Sequence, residues 1–118
     1  MSKSKTKKVL ILDPEYKARE VLRRMLGNLP EVQVQDCFDA FSDALRHTKN
    51  AMPDVVFIAL EMIKDRKETE WLRELSKYTR IIVTAYYFDP LLKHLEKYTA
   101  GYLFKPVDID ELKSKMGV

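Results

Sequence analysis

Short apolar runs recur five times along this chain, and each is followed by a stretch whose apolar residues return at helical spacing. Lys8 to Leu12 (KVLIL) reads as a strand, and Asp13-Pro14 offers an N-cap carboxylate followed by a proline at the first helical position. Ala18, Val21, Leu22, Met25 and Leu26 then form one apolar helical face that Gly27 is placed to end. Val32 and Val34 alternate with polar neighbours as in a half-buried strand, and Asp39 is set to cap a short helix facing inward through Phe41, Ala44 and Leu45. Val55 to Leu60 is continuously apolar, as in a strand covered on both faces, and Trp71, Leu72, Leu75 and Tyr78 follow at helical spacing. Arg80 to Thr84 (RIIVT) reads as another buried strand, and Asp89-Pro90 repeats the cap-plus-proline device before Leu91, Leu92 and Leu95. Gly101 to Phe104 supplies a fifth strand, and Asp108 with Glu111 resembles a capping box for a last helix carrying Ile109, Leu112 and Met116.

Strict alternation of this kind predicts a doubly wound α/β domain: a five-stranded parallel sheet with helices on both faces, joined by right-handed crossovers. The 118 residues suit one domain, with 1–7 expected as a flexible tail. No apolar run approaches the ~20 residues of a membrane span. The single Cys37, most simply a small buried hydrophobe, cannot form an internal disulfide, so a cytoplasmic location is expected. The net charge of +3 is concentrated in the leader. Without Lys3, Lys5, Lys7 and Lys8 the rest carries −1, which argues against nucleic acid as a partner.

In folds of this class ligands and chemistry collect beyond the carboxyl ends of the strands. The residues expected there are Asp13, Pro14, Glu15, Ala59, Leu60, Glu61, Thr84, Ala85, Lys105 and Pro106. The turn "LDPEYK" holds no glycine and no Ser/Thr cluster to cradle a phosphate, and neither G-x-G-x-x-G nor a P-loop occurs, so a nucleotide-binding enzyme is the least supported reading.

Over residues 7 to 118 the chain resembles the receiver domain of two-component response regulators, a flavodoxin-like module that accepts a phosphoryl group from a histidine kinase. The resemblance is carried by "KVLILDPE", "PDVVFIAL", "IIVTA" and "AGYLFKP", four pieces in order at matching intervals. It implies that Thr84 is the hydroxyl that senses the phosphoryl group, Lys105 the ammonium that pairs with it, Tyr102 a rotating aromatic and Asp13 one of two Mg²⁺-binding acids. It also aligns the phosphoacceptor aspartate with Ala59 and the second metal-binding acid with Pro14. "EMIKDRKE" lacks the proline and glycine that usually shape the loop after the third strand. The implied member is therefore degenerate, with no catalytic residue, no enzymatic activity, no cofactor, and weak Mg²⁺ binding at Asp13 at most.

Other readings of the same residues stand beside these. Asp13 also serves as an N-cap without any metal, and Thr84 ends a β-branched strand where packing alone suits it. With no carboxylate at position 59, Lys105 should seek Asp13, Glu15 or Glu61. His47 and His94 lack partners at ligand spacing and are expected on the surface. Tyr86, Tyr87 and Phe88 cannot all point into one core. They form either an interface patch, beside the fourth helix and fifth strand that receivers use for partners or dimers, or packing under that helix. Three functions follow in order: a phosphorylation-independent protein-interaction module; a receiver regulated through its remnant pocket by a metal, an anion or an unusual acceptor such as Glu61; and a flavodoxin-like enzyme or nucleotide binder. The short last helix suggests a module cut from a longer regulator with an output domain beyond Val118.

Overall fold

The computed structural model describes residues 6–118. Of the tail expected over 1–7, residues 1–5 lie outside the described residues, and Lys7 already belongs to the first strand. The strands are β1 (Lys7–Leu12), β2 (Val32–Phe38), β3 (Val55–Ala59), β4 (Arg80–Ala85) and β5 (Gly101–Phe104). Between and after them run α1 (Tyr16–Gly27), α2 (Phe41–Asn50), α3 (Arg66–Leu75), α4 (Pro90–His94) and α5 (Ile109–Met116), with 3-10 turns at Leu60–Met62 and Glu96–Tyr98. All strand pairs are parallel, in the order β2-β1-β3-β4-β5. The doubly wound parallel sheet expected from the alternation is therefore present. Among the described residues no helix is long and apolar enough to cross a membrane.

The period-two geometry of a strand explains why the sheet is covered on both sides. Val9, Ile11, Val55, Phe57, Ile82 and Leu103 face one core, where they meet Leu22 and Leu26 of α1 and Leu112 and Met116 of α5. Leu10, Leu12, Val56, Ile58, Ile81 and Val83 face the other, against Ala44 of α2, Leu72 and Leu75 of α3, and Leu92 of α4. Every residue of β3 is buried. Each Val, Leu, Ile or Phe removed from water in this way contributes about 1.5–3 kcal/mol before conformational entropy is set against it. The outer strand β2 is half-buried apart from exposed Gln33 and Asp36, and its register with β1 shifts between Val9 and Leu10.

Helix ends follow local hydrogen bonding, which corrects several expectations. At Asp89-Pro90 the device works as expected: Pro90 opens α4 and Asp89 Oδ1 accepts the Leu91 N–H at 2.9 Å. At Asp13-Pro14 it does not, because α1 begins at Tyr16 with Glu15 as N-cap. The Asp13 carboxylate closes a two-residue turn on the Glu15 N–H (2.9 Å) instead. Asp39 does not cap α2, whose N-cap is Ala40. Asp108 does cap α5, accepting the Glu111 N–H at 3.1 Å. The full reciprocal box forms at α3, where Asp65 accepts the Lys67 N–H and Glu68 accepts the Asp65 N–H, both at 2.9 Å.

Side-chain expectations need similar adjustment. Tyr78 lies beyond the end of α3 and is exposed, and Ile109 sits at the open first turn of α5. Val21, expected on the core face of α1, is 54% exposed. Leu92 and Leu95 are buried as expected, yet α4 stops at His94. The Tyr98 N–H then bonds the Leu95 carbonyl at 3.0 Å, tightening the chain so that it can enter β5.

Gly101 opens β5 at φ +127, a region that side-chain-bearing residues avoid. A Cβ there would lie 2.7 Å from Lys115 Nζ, the movable end of a long side chain. Backbone strain rather than collision sets the cost. Gly101→Ala should lower unfolding stability in urea by about 1–3 kcal/mol, and adding Lys115→Ala should not recover the loss. Recovery in the double variant would assign the cost to the collision.

Candidate functional site

The carboxyl ends of β1, β3, β4 and β5 converge on the Asp13–Lys105 ion pair. Asp13 follows β1 and is 2% exposed, with each of its three oxygens engaged. Oδ1 accepts from the Glu15 N–H (2.9 Å), the carbonyl from Arg19 Nη1 (2.7 Å), and Oδ2 from Lys105 Nζ (2.8 Å). Lys105 extends the β4–β5 ladder, its N–H donating to the Ala85 carbonyl at 2.7 Å, which aims the side chain across the strand ends. The two side chains are 9% and 3% exposed. A pair this dry depends on its geometry, because each charge has lost most of its hydration.

Ala59 ends β3 with no exposed surface, directly opposite Thr84 of β4 in register. Thr84 is itself buried, at the floor of the cleft that holds Asp13 and Lys105. The structure thus gathers Asp13, Thr84 and Lys105. Of the three partners open to Lys105, Asp13 is the one it takes. Glu61 stands exposed in the 3-10 turn after β3 and lines a neighbouring cleft with Lys64 and Asp89.

Tyr86 separates the two clefts, lining both. Its ring faces Lys105 Nζ at 4.6 Å from the centroid, so the ammonium is held between a carboxylate and an aromatic face. Its phenol donates to Glu15 Oε1. This hydrogen bond, with burial and the charge of Glu15 adding to it, pushes the phenol pKa up to about 12. Tyr87 and Phe88 are also more than half exposed. Phe88 packs edge-on against Tyr102 (6.4 Å), which in turn packs against Phe104 (5.2 Å), an exposed residue of β5. Tyr102 is half-buried at the margin of the core beneath α4.

The donor set does not match a divalent ion held by several carboxylates. Asp13 has both side-chain oxygens committed to protein donors, while Pro14 and Ala59 carry no side-chain oxygen. Among the described residues no group of three or more His, Cys, Asp or Glu converges. His47 is half-buried beside Gln35 (3.3 Å) and the Phe38 ring, and His94 is exposed. Cys37 is partly buried on β2, where desolvation raises its thiol pKa.

Arg19 and the stacking of Tyr86 on Lys105 were not foreseen from the sequence. Arg19 sits six residues from the carbonyl it binds, and Tyr86 lies 71 positions from Glu15. No local spacing announces either contact.

Comparisons with known proteins agree with this geometry, although no family model matches the chain. The sensory transduction protein LytT of Bacillus cereus is 27% identical over 107 residues, and an uncharacterized response regulatory protein of Yersinia pestis is 32% identical over 108. Each alignment takes in 89% of this chain and 44% of the relative, so the chain spans less than half the length of the curated relatives it matches. The signal receiver domain of a modulated diguanylate cyclase from Desulfovibrio desulfuricans superposes with a TM-score of 0.81 at 24% identity, over 95% of this chain and 91% of that one. The signal receiver domain of the putative response regulator NarL from Mycobacterium tuberculosis gives 0.78 at 22%, over 97% and 99%. The chain has the fold of a receiver domain, and over 89% of its length it is similar to response regulatory proteins.

Removing either member of the buried pair leaves an uncompensated charge. Lys105→Met should therefore cost about 3–5 kcal/mol in urea unfolding. Asp13→Asn with Lys105→Met should cost less than the two single losses summed, since neither buried charge remains. Strict additivity would show that the pair is not coupled.

The raised pKa of Tyr86 favours the neutral phenol in the fold. Its stabilisation is complete below the ordinary tyrosine value of 10 and is lost as pH rises through about 12. Absorbance titration of the folded protein should show one late-ionising tyrosine that disappears in Tyr86→Phe and shifts downward in Glu15→Gln. An unchanged titration in Glu15→Gln would assign the shift to another cause.

Proposed function

We propose that this domain is a receiver that works in two-component signal transduction as a protein-interaction module that needs no phosphoryl transfer and is not itself an enzyme. The observation that carries the reading is the alanine at position 59, closed off at the end of β3 opposite Thr84. A methyl group has no electron pair with which to attack phosphorus, and an in-line displacement cannot begin without a nucleophile. The Asp13–Lys105 contact supports the same view, since the ammonium that would meet an incoming phosphoryl group is already neutralised inside the protein.

Such a module presents one fixed face. The proposed face joins α4 to β5, where Tyr87, Phe88 and Phe104 are exposed around the half-buried Tyr102. Aromatic side chains supply large contact area with few rotatable bonds and are enriched in interface cores. The proposed partner is another protein or a second copy of this chain in the cytoplasm, and an output domain would account for the greater length of the relatives. Nucleic acid is not the proposed partner of this domain.

A second reading, regulation through the remnant pocket, draws on the buried Thr84 and Lys105. Glu61 is a poor acceptor for it, because Tyr86 stands between the Glu61 cleft and Lys105.

Incubation with acetyl phosphate and Mg²⁺, followed by intact mass measurement, should show no phosphoryl adduct. A stoichiometric adduct would overturn the proposal. Ala59→Asp alone should gain little Mg²⁺-dependent phosphorylation, and Ala59→Asp with Pro14→Asp should gain more, because the single repair still leaves no carboxylate at position 14 for the metal. Full modification of the single variant would show that Pro14 is tolerated and that only the acceptor was lost.

A further inference from the structure

A cleft of about 240 Å³ opens between α1 and the segment that follows β5, on the Glu15 side of Tyr86. Its walls are apolar: Ala18, Val21 and Leu22 from α1 face Val107 across the gap. Val21 is the odd member of this set. It lies on the apolar face of the helix, yet it is 54% exposed while its neighbour Leu22 is buried in the core. The floor is polar, formed by Thr84 and the Asp13–Lys105 pair.

We propose that this cleft binds a small neutral molecule built on one ring and carrying a single hydrogen-bonding oxygen, such as a phenol or an aryl alcohol. The inference rests on the reading of Asp13 and Lys105 as a self-neutralised pair, and extends it by giving the cleft an occupant of its own. Three features select that chemistry. Size is the first: about 150 Å³ accepts benzene, and 240 Å³ is below the ~300–1,000 Å³ of sites for drug-sized molecules. One substituted ring fits.

Charge is the second. The lining holds two carboxylates, Asp13 and Glu15, and two ammonium groups, Lys17 and Lys105, which balance. Asp13 is paired with Lys105, and Glu15 accepts from Tyr86. A charged group brought to the floor of the cleft would lose hydration and find Asp13 and Lys105 already matched to each other, while Lys17 stands exposed at the mouth. The third is direction. A lysine ammonium has three donors. Asp13 Oδ2 takes one and the Tyr86 ring covers a face, so one N–H of Lys105 remains for an oxygen at the inner end of the ligand, beside Thr84.

Methyl and amide spectra of the 118-residue protein, titrated with phenol and with benzyl alcohol, test this. Saturable shifts confined to Ala18, Val21, Leu22, Val107 and the Thr84 region are expected, with benzoate and benzylamine binding at least about tenfold more weakly. Ala18→Phe fills the cleft and should abolish the shifts. Val21→Thr keeps the shape of an exposed side chain while making it polar, and should weaken binding even if the first variant fails to fold. Absence of saturable shifts at these residues, equal binding of the charged ring compounds, or unchanged affinity in Val21→Thr would each overturn the assignment. Intact mass after acetyl phosphate, taken on the same sample, keeps the two readings apart. An adduct counts against the phosphate-independent reading, while the spectra judge the cleft alone.

Discussion

Burial of β3 on both faces is the constraint from which the rest of the architecture follows. Five consecutive residues, Val55–Ala59, are buried, so each face of the sheet must be covered by helices at this strand. Val55 and Phe57 require α1 and α5, and Val56 and Ile58 require α2, α3 and α4. A parallel sheet is the arrangement that allows both, since each crossover returns the chain to the same end and can leave its helix on either side. The strand ends that result are all on one edge. This is why residues as far apart as 13 and 105 meet there.

What meets there is governed by desolvation. Lys105 is directed into the strand ends by its own backbone bond to Ala85, and a charge brought to such a place must be matched. Position 59 offers a methyl group, so the match comes from Asp13, with Tyr86 covering the remaining side. Asp13 is fixed in turn by Glu15 and Arg19. The pocket is therefore internally satisfied.

Much of this was legible in the sequence because it depends on periodicity. The order and type of the elements, the double burial of β3 and the gathering of Asp13, Thr84 and Lys105 all follow from alternating apolar runs and the topology they force. Helix starts were less legible. Asp-Pro carries the same signal at 13 and at 89, and both aspartates accept the N–H two residues on at 2.9 Å, yet the helix opens directly at Pro90 in one case and only at Tyr16, past Glu15, in the other. Val21 shows a similar limit. Its spacing marks the apolar face of α1 correctly, but spacing cannot tell whether that face meets a core or a cleft. Contacts such as Tyr86 with Glu15 bind loops from distant segments and leave no local pattern.

The form of β5 limits the way another chain can engage this side of the domain. It is an outer strand of only four residues, Gly101–Phe104, followed at once by a residue whose N–H already points inward to Ala85 and then by Pro106, which has no N–H. An added strand would find few free backbone groups along so short an edge. Any recognition on this flank would then be read from side chains. Its specificity would reside in the shape of an aromatic surface rather than in a backbone ladder, which pairs with almost any extended peptide.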